Sequence, residues 1–181
     1  MFRRFEDFFG IKPVHISALF HTPYRSFINK YGDTQFAQGL FNVFSQESVD
    51  KMSNLVFKAY PRYAGGVSIF GYDWLGRIFG IARKNGKELV LMFEIGTLKV
   101  LEIPCDFISF LNVEIPNYHQ DCLASDYFKQ WLQVSSPPQK GHCIGYKIPL
   151  FLGGEDALAN LEDSDMEVYW YLMSEISRKI M

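Results

Sequence analysis

The sequence predicts an α+β protein: an antiparallel β-sheet, a meander of about four to six strands, packed by N-terminal and C-terminal helices. Three observations carry that expectation. Between Gly66 and Pro104 apolar residues follow strand-like runs separated by short turn signals, whereas on either side they recur every three or four positions. The chain has 181 residues, of which 48% are hydrophobic and 21% charged, enough to bury a sizeable core and too apolar to stay disordered. Aromatics reach 17%, with 17 Phe and 10 Tyr, so rings must dominate that core or an interface.

Taken in order, Phe2 to Phe9 reads as a short helix stopped at Gly10. Thr22 is placed to cap a second helix, with Pro23 at its first position and Gly32 beyond its end; Phe20, Tyr24, Phe27, Ile28 and Tyr31 share one face. Gly39 to Phe44 is a brief strand. Ser45 opens a third helix whose stripe is Val49, Met52, Val56 and Tyr60, ended by Pro61.

The meander follows. A strand through Val67 and Ile69 turns at Asp73-Trp74-Leu75-Gly76 into a second, Arg77 to Arg83. Asn85-Gly86 marks a tight hairpin because both residues tolerate positive φ. Leu89 to Glu94 and Lys99 to Ile103 complete four strands, predicted to be solvated on one face and covered by helices on the other. Beyond them, Asp106 to Leu111 reads as a short helix, and Ser125 as the cap of another carrying Phe128, Trp131 and Leu132. Ser135 to Gly141 is a loop, Ile144 to Leu152 an extended run, and Gly153-Gly154 a tight turn. Ser164 or Asp165 caps a last helix with the stripe Tyr169, Leu172, Met173, Ile176 and Ile180; its acidic start and basic end suit the helix dipole.

Charge and cysteine usage bound the function. Lys plus Arg number 18 and Asp plus Glu 20, a net charge of −2, which offers no long-range attraction for nucleic acid or an anionic membrane. Three unpatterned cysteines, Cys105, Cys122 and Cys143, suit a reduced compartment. The opening residues, with Glu6 and Asp7, do not form a secretory signal, so the expected location is cytoplasmic.

Catalytic signatures are not found. There is no G-x-S-x-G, G-x-G-x-x-G or H-E-x-x-H, and Gly80 with Gly86-Lys87 has the wrong spacing for a phosphate loop. His119 with Cys122, and His142 with Cys143, have the residue types for a metal or a nucleophile but not convergent spacing. The expectation is therefore no catalytic residue, no metal and no cofactor. The local constellation that stands out is Asp73-Trp74-Leu75-Gly76-Arg77, which reads either as a structural turn or, if Trp74 is exposed, as an interface anchor flanked by charge. Acidic residues at Glu155 and Asp156, and at Glu162 and Asp163, suit either a solvated surface or a docking patch.

Two blocks carry a resemblance. Phe70-Gly71-Tyr72-Asp73-Trp74-Leu75-Gly76-Arg77-Ile78-Phe79 is similar to a central strand-turn-strand of the bacterial type VI secretion immunity protein family defined by its C-terminal domain. Cys143-Ile144-Gly145-Tyr146-Lys147-Ile148-Pro149-Leu150-Phe151-Leu152-Gly153-Gly154, then Asn160 and Asp165 to Trp170, resembles that domain's terminal strand, double-glycine turn and final helix. Tyr31-Gly32 and Gly39-Leu40-Phe41 resemble the GAD-related lobe that often precedes it. The resemblance implies a GAD-related lobe over residues 1–64 and an immunity-type domain over 65–181, forming one compact unit. It also implies a non-enzymatic antidote that binds a cognate effector toxin, in the founding case a DNA-degrading one. On that reading Asp73, Trp74, Arg77, Glu155 and Asp156 are candidate partner-binding residues. The alternative is a general protein-interaction or ligand-sensing module without a toxin partner.

Overall fold

The computed structural model describes residues 1–12 and 22–180. Its centre is a six-stranded antiparallel sheet in which strand order follows chain order: β1 (Gln35–Phe36), β2 (Phe41–Val43), β3 (Val67–Asp73), β4 (Ile78–Lys84), β5 (Lys87–Glu94) and β6 (Lys99–Ile103). The Asn85-Gly86 hairpin forms as expected, with φ of 52° and 76° at its two centres. The sheet extends beyond the predicted meander because β1 and β2 join it through Val43 opposite Gly71.

Both faces of the sheet's central strands are buried, which corrects the expectation of one solvated face. Val90 and Met92 of β5 point into one core, and Leu89, Leu91 and Phe93 into the other. The signal was present in the strand itself: the middle of β5, Leu89 to Phe93, reads Leu-Val-Leu-Met-Phe without a polar residue, the pattern of a strand covered twice. On the first face lie α1 (Arg3–Phe8), α2 (Pro23–Tyr31), α4 (Phe107–Ser109), α5 (Ile115–Cys122) and α6 (Ser125–Val134). On the second lie α3 (Gln46–Ala59) and α7 (Met166–Ile180). A two-stranded ribbon, β7 (His142–Tyr146) and β8 (Leu161–Asp165), leads into α7.

The caps of α2 and α3 are those the sequence marks. Thr22 accepts from the Arg25 amide at 3.3 Å and Ser45 from the Ser48 amide at 3.0 Å. Phe20, expected on the α2 face, lies outside the described residues, as does the side chain of Ile180. Elsewhere the helices differ from expectation for local reasons. The helix starting after Asp106 continues to Cys122 through a π turn at Phe110–Glu114, just before Pro116, which has no N–H for the Asn112 carbonyl. Ser125 does not cap α6. Ala124, at φ 49°, makes the turn, and the Ser125 hydroxyl, 2.6 Å from His119 Nδ1, is buried.

α7 turns a different face inward than its apolar spacing suggests. Met166, Tyr169, Trp170 and Met173 are buried along with Ser174 and Ser177, whereas Leu172 is exposed. The two serines are tolerated inside because each hydroxyl donates back to a helix carbonyl, Tyr171 O at 2.8 Å and Ser174 O at 2.9 Å.

α1 is anchored by polar contacts as well as by Phe2 and Phe5. Asn112 Oδ1 accepts from the Arg4 amide at 3.1 Å and its Nδ2 donates to Met1 O at 2.9 Å. Glu6, nearly buried, accepts from Lys30 Nζ at 2.6 Å and from the Tyr31 hydroxyl. Burial pushes the Glu6 carboxyl up, but the Lys30 and Tyr31 hydrogen bonds outweigh it and hold it below its ordinary 4.5. A carboxyl with a depressed folded pKa stabilises the protein above its unfolded pKa, and that contribution is lost as pH falls through the lower folded value. Between pH 6 and pH 3 the unfolding midpoint of Glu6→Gln should therefore fall less steeply than that of the wild type. Parallel curves would remove Glu6 from the acid transition.

Candidate functional site

Asp73 and Arg77 form a buried, multiply hydrogen-bonded pair, and Trp74 lies between them in the chain. Asp73 Oδ1 accepts from the Leu75 amide at 3.1 Å and the Arg77 amide at 3.0 Å; Oδ2 accepts from Arg77 Nε at 2.6 Å. Arg77 Nη2 lies 2.5 Å from the same carboxylate and also donates to Cys122 O at 3.3 Å. Burial pushes the Asp73 carboxyl up, with Arg77 and the two turn amides pulling the other way. For Arg77, burial alone would lower the guanidinium, and the Asp73 carboxylate beside it outweighs that and raises it.

This turn is a junction. Trp74 Nε1 donates to Leu123 O at 3.0 Å, and Trp74 O accepts from the Ile144 amide at 2.6 Å. Gly76 O accepts from Trp170 Nε1 at 2.8 Å. Gly76 has φ 73°, and a Cβ there would stand 2.9 Å from Cys143 Sγ, so both geometry and space require glycine. The β3–β4 turn thus pins the α5–α6 corner, β7 and α7 to the sheet.

Trp74 and Asp73 are 0% exposed and Arg77 is 8% exposed. Of the two readings of this stretch the structure shows the structural turn, not the exposed anchor: the Trp74 ring packs against Tyr127 and Phe128, and three buried side chains present no surface to a partner. Glu155 and Asp156, by contrast, are exposed. They lie more than 70 positions further along the chain, and Asp156 accepts from the Tyr146 hydroxyl at 2.9 Å. The five candidate residues therefore divide into a buried turn and an exposed acidic pair.

The remaining candidates are separated too. Along β7, Cys143 points into the core while His142 stays half-buried, 3.2 Å from Asp163. His119 faces Ser125, but that serine is 3% exposed and closed to a substrate. Burial pushes the Cys105 and Cys122 thiols up to about 12 and Cys143 well above its ordinary value, so none is a thiolate at neutral pH. Among the described residues no three His, Cys, Asp or Glu side chains come together as a metal site, and no helix is long and apolar enough to cross a membrane.

Two surface features escaped the sequence reading. One is a cleft of about 310 Å³ where the N-termini of α3 and α7 meet the β1–β2 edge, lined by Asn42, Ser45, Lys51, Tyr72, Lys140 and Glu167. The other is the outward face of α7, where Val168, Tyr171 and Leu172 are 52%, 49% and 50% exposed at positions i, i+3 and i+4. The second was hidden because Leu172 was assigned to the core.

The segment that the buried turn holds against the sheet can be compared with known families. Residues 106–177 match the family model for the T6SS immunity protein Tdi1, C-terminal. The Tdi1-like segment runs from the α4 cap through β7, β8 and most of α7, so it contains Cys143 to Gly154 and Asp165 to Trp170. It leaves out residues 1–105, and with them the Phe70 to Phe79 block and the sheet. A crystal structure of Atu4351 from Agrobacterium tumefaciens is similar over 97% of this chain and 89% of its own, with a TM-score of 0.59 and 14% identity. At that identity the likeness shows the fold, sheet and Tdi1-like segment together. Among curated proteins no relative matches.

Proposed function

We propose that the protein is a non-enzymatic immunity protein that binds and neutralises a cognate secreted effector toxin in the cytoplasm of the cell that makes it. The match of residues 106–177 to the T6SS immunity protein family carries this reading. The chemistry of the molecule agrees with it: the thiols are neutral, the serine–histidine pair hydrogen-bonded among the described residues is closed off, and the buried Asp73–Arg77 ion pair is committed to holding a turn. Inhibition by occlusion needs none of these groups, only a complementary surface of roughly 1,200–2,000 Å² in total with a few anchors. A nuclease is the effector chemistry we favour, because exposed carboxylates such as Glu155 and Asp156 would occupy the place of substrate phosphates on its basic face.

Co-expression with the effector encoded beside its gene tests the reading. Cells producing the effector alone should stop growing, cells producing both should grow, and the two proteins should co-purify. Growth arrest despite co-expression, with no complex recovered, would reject the assignment.

A further inference from the structure

Resting on the immunity reading, we infer that the outward face of α7 and the carboxylates around its N-terminal end are the surface that receives the effector, and that the occupant is a cationic protein face. The apolar part of the argument is geometric. α7 already buries Met166, Tyr169, Trp170 and Met173 against the sheet. Val168, Tyr171 and Leu172 lie on its other side, half-exposed on one helix face, outside the core that α7 forms with the sheet. An aromatic and two aliphatic side chains on one rigid helix make a suitable set of interface anchors.

The charge around them selects the occupant. From residue 148 to residue 177 the sequence holds seven carboxylates and no lysine or arginine. Asp165 caps α7 through the Val168 amide at 2.9 Å, Glu167 follows, and Glu162 and Asp163 lie on β8. Among the described residues Glu155, Asp156, Glu162, Asp165 and Glu167 make no ion pair; Asp163 pairs with His142. Cations stand at both ends of this surface: Lys51 and Lys140, the latter paired with Asp33, line the cleft beside Glu167, and at the other end Lys58 pairs with Glu175 and lies 5.1 Å from the Tyr171 ring centroid, while Arg178 also pairs with Glu175.

A second copy of this chain docked face to face would set these carboxylates against each other. Nucleic acid and an anionic membrane would be repelled in the same way. A basic protein surface, such as the one a nuclease turns toward its substrate, gains from both components: apolar contact at the helix and attraction at the rim. Steering by the rim makes association faster at low salt.

The test uses the purified chain and an inactivated variant of the neighbouring effector, with binding measured across salt concentrations. The double variant Val168→Arg/Leu172→Arg should weaken binding by about 30-fold or more, as loss of an interface anchor does. Leu101→Arg, the same kind of change at a single exposed apolar residue on β6, should change it by less than about threefold. Glu162→Gln/Glu167→Gln should slow association and flatten its salt dependence, a readout that holds even if the arginine variant folds poorly. Full binding by the arginine variant, equal weakening by Leu101→Arg, an unchanged salt slope, or a wild-type dimer broken by Val168→Arg would each overturn this surface while leaving the immunity assignment standing. No binding by the wild type would overturn both.

Discussion

Arg77→Ala should lower the free energy of unfolding by about 3–5 kcal/mol, the cost of removing one partner from a buried ion pair. The substitution leaves the Asp73 carboxylate fully buried, holding only the Leu75 and Arg77 amides, and deprives Cys122 O of its donor. In a chain of this length each kcal/mol moves the midpoint by about 2–4 °C, so the thermal transition should fall by roughly 10 °C. Asp73→Asn/Arg77→Met, which removes both charges and keeps a hydrogen-bonding group for the turn amides, should recover part of the loss. Urea unfolding monitored by tryptophan fluorescence measures both, and a change below about 1 kcal/mol for Arg77→Ala would mean that water replaces the guanidinium.

Trp170→Ala should cost a similar amount, about 3–5 kcal/mol, by opening a cavity in the core between the sheet and α7. The ring is fully buried, and its Nε1 is the donor that satisfies Gly76 O. Trp170→Phe, which keeps most of the volume and loses the donor, should cost less and so separates packing from the hydrogen bond. Because Arg77 and Trp170 hold the same turn, Arg77→Ala/Trp170→Ala should destabilise by less than the sum of the two single changes. Strict additivity would show that the turn is held at each place independently.

Much of the architecture was legible because the relevant signals are local. Thr22, Pro23 and Gly32 punctuate α2, Asn85-Gly86 fixes the β4–β5 register, and Ser45 and Pro61 bound α3. What escaped depends on which face meets which. Apolar residues of α7 satisfy helical spacing on two sides, and Ser174 and Ser177 argued against the side that is in fact buried; only their internal hydrogen bonds reconcile them with the core. Trp74 was equally undecidable, since Asp and Arg beside a Trp suit a wet rim as well as a dry junction. Leu123, Ile144 and Trp170, all distant in sequence, settle it. The candidate docking face was concealed for the complementary reason, that a surface has no sequence period of its own once the helix phase is misjudged.

Strand order that follows chain order has a consequence for biosynthesis. Each strand of the sheet pairs with one that has just left the ribosome, so hairpins zip up as the polypeptide emerges, without waiting for distant partners. The helix α7 that seals the second side follows the whole sheet in the chain, and until Trp170 arrives a growing slab of leucine, valine and phenylalanine lies open to neighbouring nascent chains. Translation of α7 is therefore when the sheet passes from its most adhesive form to its covered one.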